Sequence, residues 1–187
     1  YSYDHDWRRV AEDVNGTVTS YLWDEYSSYG DILLEYDVSN VVQARYVRDN
    51  AQPLARIAGA STHYYLLDGQ NSVVSLTDGT GTITDTYSYS VFGELLNSTG
   101  TTDNPFRYTA QYLDDTTGLY NLRARTYNPS LGRFTSQDQY PLRIGNPLEH
   151  NRYVYVAANP GSYYDPSGYT IASYAGSLLP SIRNAPV

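Results

Sequence analysis

Two arginines two residues apart, Arg123 and Arg125, stand in the run Gly118-Leu119-Tyr120-Asn121-Leu122-Arg123-Ala124-Arg125-Thr126-Tyr127. Alternation through this run puts Leu119, Asn121, Arg123 and Arg125 on one face of a strand and Tyr120, Leu122 and Ala124 on the other. Guanidinium groups on one face need carboxylates, and Asp114 and Asp115 stand nearby across the turn Thr116-Thr117-Gly118. Two chemistries are open to such a group: a structural ion pair, or capture of an anionic ligand by the bidentate fork of arginine. Other chemistry is sparse. His5, His63 and His150 are dispersed without zinc-ligand spacing, the absence of cysteine rules out thiolate sites and disulfides, and Asp78 to Thr82 offers oxygens but too short a run for calcium. No cofactor is assigned. Asn15-Gly16-Thr17 and Asn97-Ser98-Thr99 fit the N-glycosylation pattern, which has meaning only in a host able to read it.

The composition says what kind of scaffold holds these residues. The chain has 187 residues, of which only 17% are charged while 22 are tyrosine. A ring that packs on one side and hydrogen-bonds on the other suits a half-buried sheet, so the expected fold is all-β. All twelve basic residues are arginine, which favours ion pairs and ring stacking within the sheet. A net charge of -8 and a pI near 4.6 argue against a nucleic-acid partner, since phosphate backbones are bound by basic faces. There is no polybasic membrane patch, and no apolar run approaches the roughly 20 residues of a membrane span.

The first hundred residues carry a degenerate repeat in which tyrosine-rich segments end on an aspartate: Asp4, Asp24, Asp37, Asp49 and Asp68. Strand alternation puts Tyr1 with Tyr3, and Tyr87 with Tyr89, on one face, and the aspartates fall at the corners. Asn15-Gly16 predicts a type I′ hairpin with positive φ at both residues, and Asp78-Gly79-Thr80-Gly81 separates two further strands in the same manner. Other breaks are expected at Ser27 to Gly30, Asn50 to Pro53 and Asn97 to Pro105. Asn128-Pro129-Ser130-Leu131-Gly132-Arg133-Phe134 reads as a rigid turn followed by an apolar anchor, with Gly132 in a conformation closed to other residues. Tyr1 falls inside a repeat unit, so the chain reads as a fragment or processed product.

The runs RYTAQYLDDTTGLYNLRARTYNPSLGRF and NRYVYVAANPGSYYDPSG, the latter holding Tyr153, Tyr155, Asn159, Pro160, Asp165, Pro166 and Gly168, resemble the RHS-repeat-associated core domain of YD-repeat proteins. That family includes C components of tripartite insecticidal toxins, bacterial polymorphic toxins and, more distantly, teneurins. The earlier wording, from YSYD and NGTVTSYLWD to DGTGTITDTYSYSVFGELL, is similar to YD-repeat sequence, so the resemblance covers nearly the whole chain. The five residues Asp68-Gly69-Gln70-Asn71-Ser72 depart from the usual spacing and are expected to alter only a turn. The resemblance implies successive β-hairpins forming a curved sheet or shell wall at 1–105, a core-domain plug at 106–168, and a variable tail at 169–187. The implied role is structural, as wall and end plug of a secreted or cell-surface shell. Five or six repeat units cannot close such a shell alone, so the expected partners are upstream YD repeats or identical subunits, with a C-terminal cargo as a further one.

In toxin C components the core domain resembles an intramolecular aspartyl protease that cuts just beyond the terminal DPxG. The two positions correspond here to Asp138, in GRFTSQD, and Asp165, in DPSG. A pair of carboxyl groups sharing one proton would supply an acid and a base. Against this, Gln139-Tyr140-Pro141 replaces the family's Pro-x-Gly, the inserted LRIGNPLEH lengthens the spacing between the aspartates, and the chain continues past Gly168. The alternative assigns Asp165-Pro166-Ser167-Gly168 to a β-turn and Asp138 to a hydrogen-bonding anchor. A third reading is a self-assembling fibre or adhesion module using strand edges and the nearly uncharged tail.

Overall fold

Aspartate closes corner after corner of this chain by the same local device. Asp37, Asp68 and Asp78 each accept through one carboxylate oxygen from the backbone N–H two and four residues on, at 2.8 to 3.0 Å. The fourth residue of each turn has positive φ and is Asn40, Asn71 or Gly81, residue types that tolerate the left-handed region. The departure at 68–72 is therefore the same corner with asparagine in the glycine place. Asn15 and Gly16 both have positive φ, as the hairpin prediction required.

The computed structural model describes residues 1–5, 8–24, 26–27, 30–49, 52–139, 150–169 and 171–173. Its elements are almost all strands. Ten of them, β1 (Ser2–Tyr3), β2 (Arg9–Val14), β3 (Thr17–Asp24), β4 (Asp31–Tyr36), β5 (Val42–Asp49), β6 (Gln52–Ala58), β7 (Ser61–Leu67), β8 (Val73–Thr77), β9 (Ile83–Tyr89) and β10 (Leu95–Thr99), form one antiparallel meander in sequence order. The sheet is open, with β1 and β10 at its edges. Strands β11 (Tyr112–Asp114), β12 (Leu119–Leu122), β13 (Arg125–Asn128) and β14 (Arg133–Phe134) form a second sheet, and β15 (Tyr163–Tyr164) pairs with β16 (Ala172–Ser173). Two expected breaks are narrower than their spans: Asn97 to Thr99 still pair within β10, and Pro53 is taken into β6 opposite Arg48, beside a register shift. The LRIGNPLEH insertion, apart from His150, and the tail beyond Ser173 lie outside the described residues.

One face of the ten-stranded sheet buries Tyr21, Ile32, Tyr46, Tyr65, Leu76 and Tyr87. The chain leaves β10 and crosses this face. Phe106 stands edge-on to Tyr46, Tyr65 and Tyr112, with centroids 4.9 to 6.4 Å apart, and Arg48 stacks 4.6 Å above its ring. Asn104 accepts from the Tyr65 hydroxyl at 2.9 Å, and Val73 N–H donates to Arg107 O. Tyr112 then meets the hydroxyl of Tyr21 at 3.0 Å. The second sheet is fastened to the turn between β9 and β10: Tyr108, Tyr127 and Tyr120 donate to the successive carbonyls of Val91, Phe92 and Gly93, at 2.7 to 3.1 Å. Each ring thus buries its body and satisfies its hydroxyl in the same step.

Glu35 lies buried on the inner face of β4, where the Tyr46 hydroxyl donates to it at 2.9 Å. Burial outweighs that hydrogen bond and pushes its carboxyl up from 4.5 to about 7. An acid raised on folding contributes stability that is intact below the unfolded value and is lost as pH climbs toward the folded one. Thermal melts should therefore show stability falling between pH 4.5 and 7, by on the order of 3 kcal/mol from this group. Glu35→Gln should flatten that dependence, and an unchanged slope in the variant would assign it elsewhere.

Candidate functional site

The turn joining β12 to β13 is only two residues, Arg123 and Ala124, with Leu122 paired to Arg125 and Tyr120 to Tyr127. This corrects the expectation of one continuous strand face carrying both arginines. Arg123 takes a left-handed conformation, φ 61, with its N–H donating to Asn121 Oδ1 at 2.8 Å. The chain reverses there, so the two guanidinium groups serve different partners. Neither is paired with Asp114 or Asp115. Asp114 instead accepts from the Tyr1 hydroxyl at 2.6 Å and from Arg9 at 3.1 Å, and also caps the turn at Thr116 and Thr117. Burial alone would push its pKa up, but Tyr1, the Thr117 N–H and Arg9 together hold the carboxyl below the usual range. Asp115 is exposed in that turn, beside Gly118 at positive φ.

Three consecutive donors of the β12–β13 corner meet three consecutive carbonyls of the DPSG segment. Arg123 Nη1 donates to Pro166 O, Ala124 N–H to Ser167 O at 3.2 Å, and Arg125 Nε to Gly168 O. The fit leaves no room for a side chain at Gly168, φ 78, because a Cβ would collide with Leu122 O and Arg125 N. Asp165 closes the segment on itself, accepting from Ser167 N–H at 3.1 Å and Gly168 N–H at 2.8 Å. DPSG is therefore a tight turn clamped along its backbone.

Arg125 is where the two candidate aspartates meet. Its Nη1 lies 3.3 Å from Asp138 and its Nη2 3.5 Å from Asp165, all three side chains being buried. The guanidinium also stacks 3.6 Å above the Phe134 ring, and Arg152 O accepts from Nη1 at 3.4 Å. Asp138 is placed by its own backbone, whose N–H donates to Arg152 O at 2.9 Å while Arg152 Nη2 donates to its carbonyl. The cation lies within reach of both carboxyl groups and so screens them from one another. The same side chain supplies a donor at Gly168 O, where negative charge would grow if the next peptide bond were attacked.

The remaining motif residues frame this centre. Phe134 and Tyr155 stack with Tyr127, at 5.8 and 4.3 Å between centroids, and Pro129, Pro160 and Pro166 are buried. Gly132 has φ 62 and packs against Phe92, while Arg133 forms a bridge to Val154. Tyr153 is exposed, and its carbonyl accepts from Phe134 N–H at 2.9 Å. Asn159 follows a left-handed turn at Val156 to Ala158 and receives Ser162 and Tyr163 N–H on its carbonyl. Sequence reasoning did not reach Asp31, Gln111 and Arg152, whose roles arise from pairings across long stretches of chain. Among the described residues no group of three His, Asp or Glu side chains could hold a metal ion, and no helix is long and apolar enough to cross a membrane.

Residues 1–161 match the family model described as Teneurin YD-shell. The tRNA nuclease WapA of Bacillus subtilis (strain 168) is 33% identical over 175 residues, 91% of this chain and 7% of that protein. The double-stranded DNA deaminase toxin A of Burkholderia cenocepacia (strain H111) is 31% identical over 173 residues, 89% of this chain and 11% of that protein. The crystal structure of TcdB2-TccC3 superposes with a TM-score of 0.67 at 21% identity, covering 90% of this chain and 9% of that one. The chain thus spans only a small part of the length of these relatives. With its corner aspartates, its open tyrosine-faced sheet and a family match over 161 residues, the chain belongs to the teneurin YD-shell family.

Proposed function

We propose that this chain is the wall and end plug of a secreted or cell-surface β-shell, with residues 1–105 as wall, 106–168 as plug and 169–187 as a variable tail. The observation that carries it is the crossing segment, which turns inward after β10 and lays Phe106 on the tyrosine face of the sheet. A wall strand would have continued the meander instead. The open edges at β1 and β10 call for partners, and upstream YD repeats of the same protein are the complementary ones. Electron microscopy of a longer chain that includes those repeats should show a hollow particle with this segment closing one end. Filaments would favour self-association through the strand edges, and an end left open would count against the plug.

A second reading, self-cleavage after Gly168, is favoured by the convergence of Asp138 and Asp165 on Arg125. One carboxylate would take a proton from water as hydroxide adds to the Gly168 carbonyl carbon, with Arg125 Nε stabilising the oxygen. The second carboxyl would then protonate the Tyr169 nitrogen as the C–N bond breaks, leaving a Gly168 carboxylate and a free Tyr169 amine. This cleavage would release any downstream cargo. Expressed with its flanking sequence, the parent should yield a fragment whose mass ends at Gly168, and Asp138→Asn or Asp165→Asn should slow its appearance at least about a hundredfold. A parent that stays intact from pH 4 to 8 sinks this reading and leaves the structural one standing.

A further inference from the structure

We infer that the wall positions the DPSG turn through Arg123, with Asp31 as its anchor, so that the geometry at Gly168 depends on strand β4 being in place. The functional meaning of this link, that cutting waits for the wall, rests on the self-cleavage reading; the link itself does not.

The Arg123 guanidinium joins four segments. Nε donates to Gly30 O at 2.7 Å, Nη2 to Asp31 Oδ1 at 2.7 Å, and Nη1 to Gln111 Oε1 at 2.9 Å and to Pro166 O. Gly30 and Asp31 open β4 of the wall, Gln111 ends the crossing segment, and Pro166 belongs to the clamped turn. Asp31 is buried and also pairs with Arg48 of β5 at 3.1 Å, which ties it to two wall strands. A planar fork with donors in three directions is needed to hold such a set, and the point charge of lysine cannot reproduce it. The residue carries this load from a left-handed backbone position that non-glycine residues rarely occupy, and such conformations persist where the surroundings over-determine them.

The turn is also held by Arg125 at Asp165, Nη2 to Oδ2 at 3.5 Å. Its internal bonds run from Ser167 and Gly168 N–H to Asp165, and its outer bonds are the row made by Arg123, Ala124 and Arg125. Arg123 is the member of that row whose remaining partners lie in the wall and the crossing segment. Before β4 is paired, Gly30 and Asp31 are not presented to it, and the guanidinium loses two of the contacts that orient it toward Pro166, keeping Gln111. Arg125 would still reach both aspartates, but against a turn secured at one end only. Arg123 is accordingly a positioning residue, acting through the backbone of Pro166 rather than on any reacting atom.

Amide exchange followed by NMR on the full chain tests the link without any need for cleavage. Asp31→Asn removes the charge and keeps the shape, and Arg123→Lys keeps the charge and removes the fork. Both should accelerate exchange at Ser167 and Gly168 at least about tenfold while Phe134, whose N–H bonds to Tyr153 O in the same sheet, stays at its parent rate. Unchanged exchange at Ser167 and Gly168 in both variants overturns the inference. So does acceleration shared equally by Phe134, which would report loosening of the whole sheet. Where a longer chain is cut after Gly168, Asp31→Asn should slow the cut without altering the shape of its pH profile, since no titrating group of the reaction is touched; a shifted profile would also overturn it. A parent chain that is not cut at all dismisses the self-cleavage reading, and the exchange result still decides the link.

Discussion

A tyrosine buried in a sheet brings a hydroxyl that must meet an acceptor, and this requirement organises the molecule. Tyr65 finds Asn104, Tyr46 finds Glu35, Tyr89 finds Val73 O, and Tyr108, Tyr127 and Tyr120 find the successive carbonyls of a single turn. Each of these bonds is made where the ring also buries its apolar faces, so packing and polar satisfaction select the same arrangement. The crossing segment is where the two demands coincide most closely. Phe106 fills the space among the rings, and its neighbour Asn104 answers one of their hydroxyls.

Charge follows the same rule of enclosure. With no lysine in the chain, the buried cations are all guanidinium groups, and several are stacked on rings as well as paired: Arg48 on Phe106, Arg125 on Phe134, Arg9 on Tyr1. Stacking supplies apolar cover for a group that burial alone would penalise. Asp31, bonded to Arg48 and Arg123, and Arg125, bonded to Asp138 and Asp165, are complementary knots, one an anion between cations and one a cation between anions. Removing one member of either knot leaves buried charge without its counterpart, a loss of about 3 to 5 kcal/mol for pairs of this kind.

The ten-stranded sheet is legible in the sequence because its determinants are local. Asn15-Gly16 names its own turn, and the aspartates at 37, 68 and 78 bond to amides within four residues, so type and spacing carry the information. The second sheet was only partly legible. Alternation puts Tyr120 and Leu122 on one face of β12, which is the buried one, but it does not carry through Arg123 and Ala124, where neither glycine nor asparagine marks the reversal. The ion-pair partners were hidden for a different reason. Asp31 lies 92 residues from Arg123 and Asp165 lies 40 from Arg125, and the crossing of the chain over its own sheet brings them together.

The amide caps at Asp37, Asp68 and Asp78 are each made within their own five residues. A hairpin added or lost between two such corners would lengthen or shorten the sheet and leave the caps of the other corners intact. The number of strands is thus a separate variable from the chemistry of any one corner, much as a fence may change its number of panels and keep the same posts.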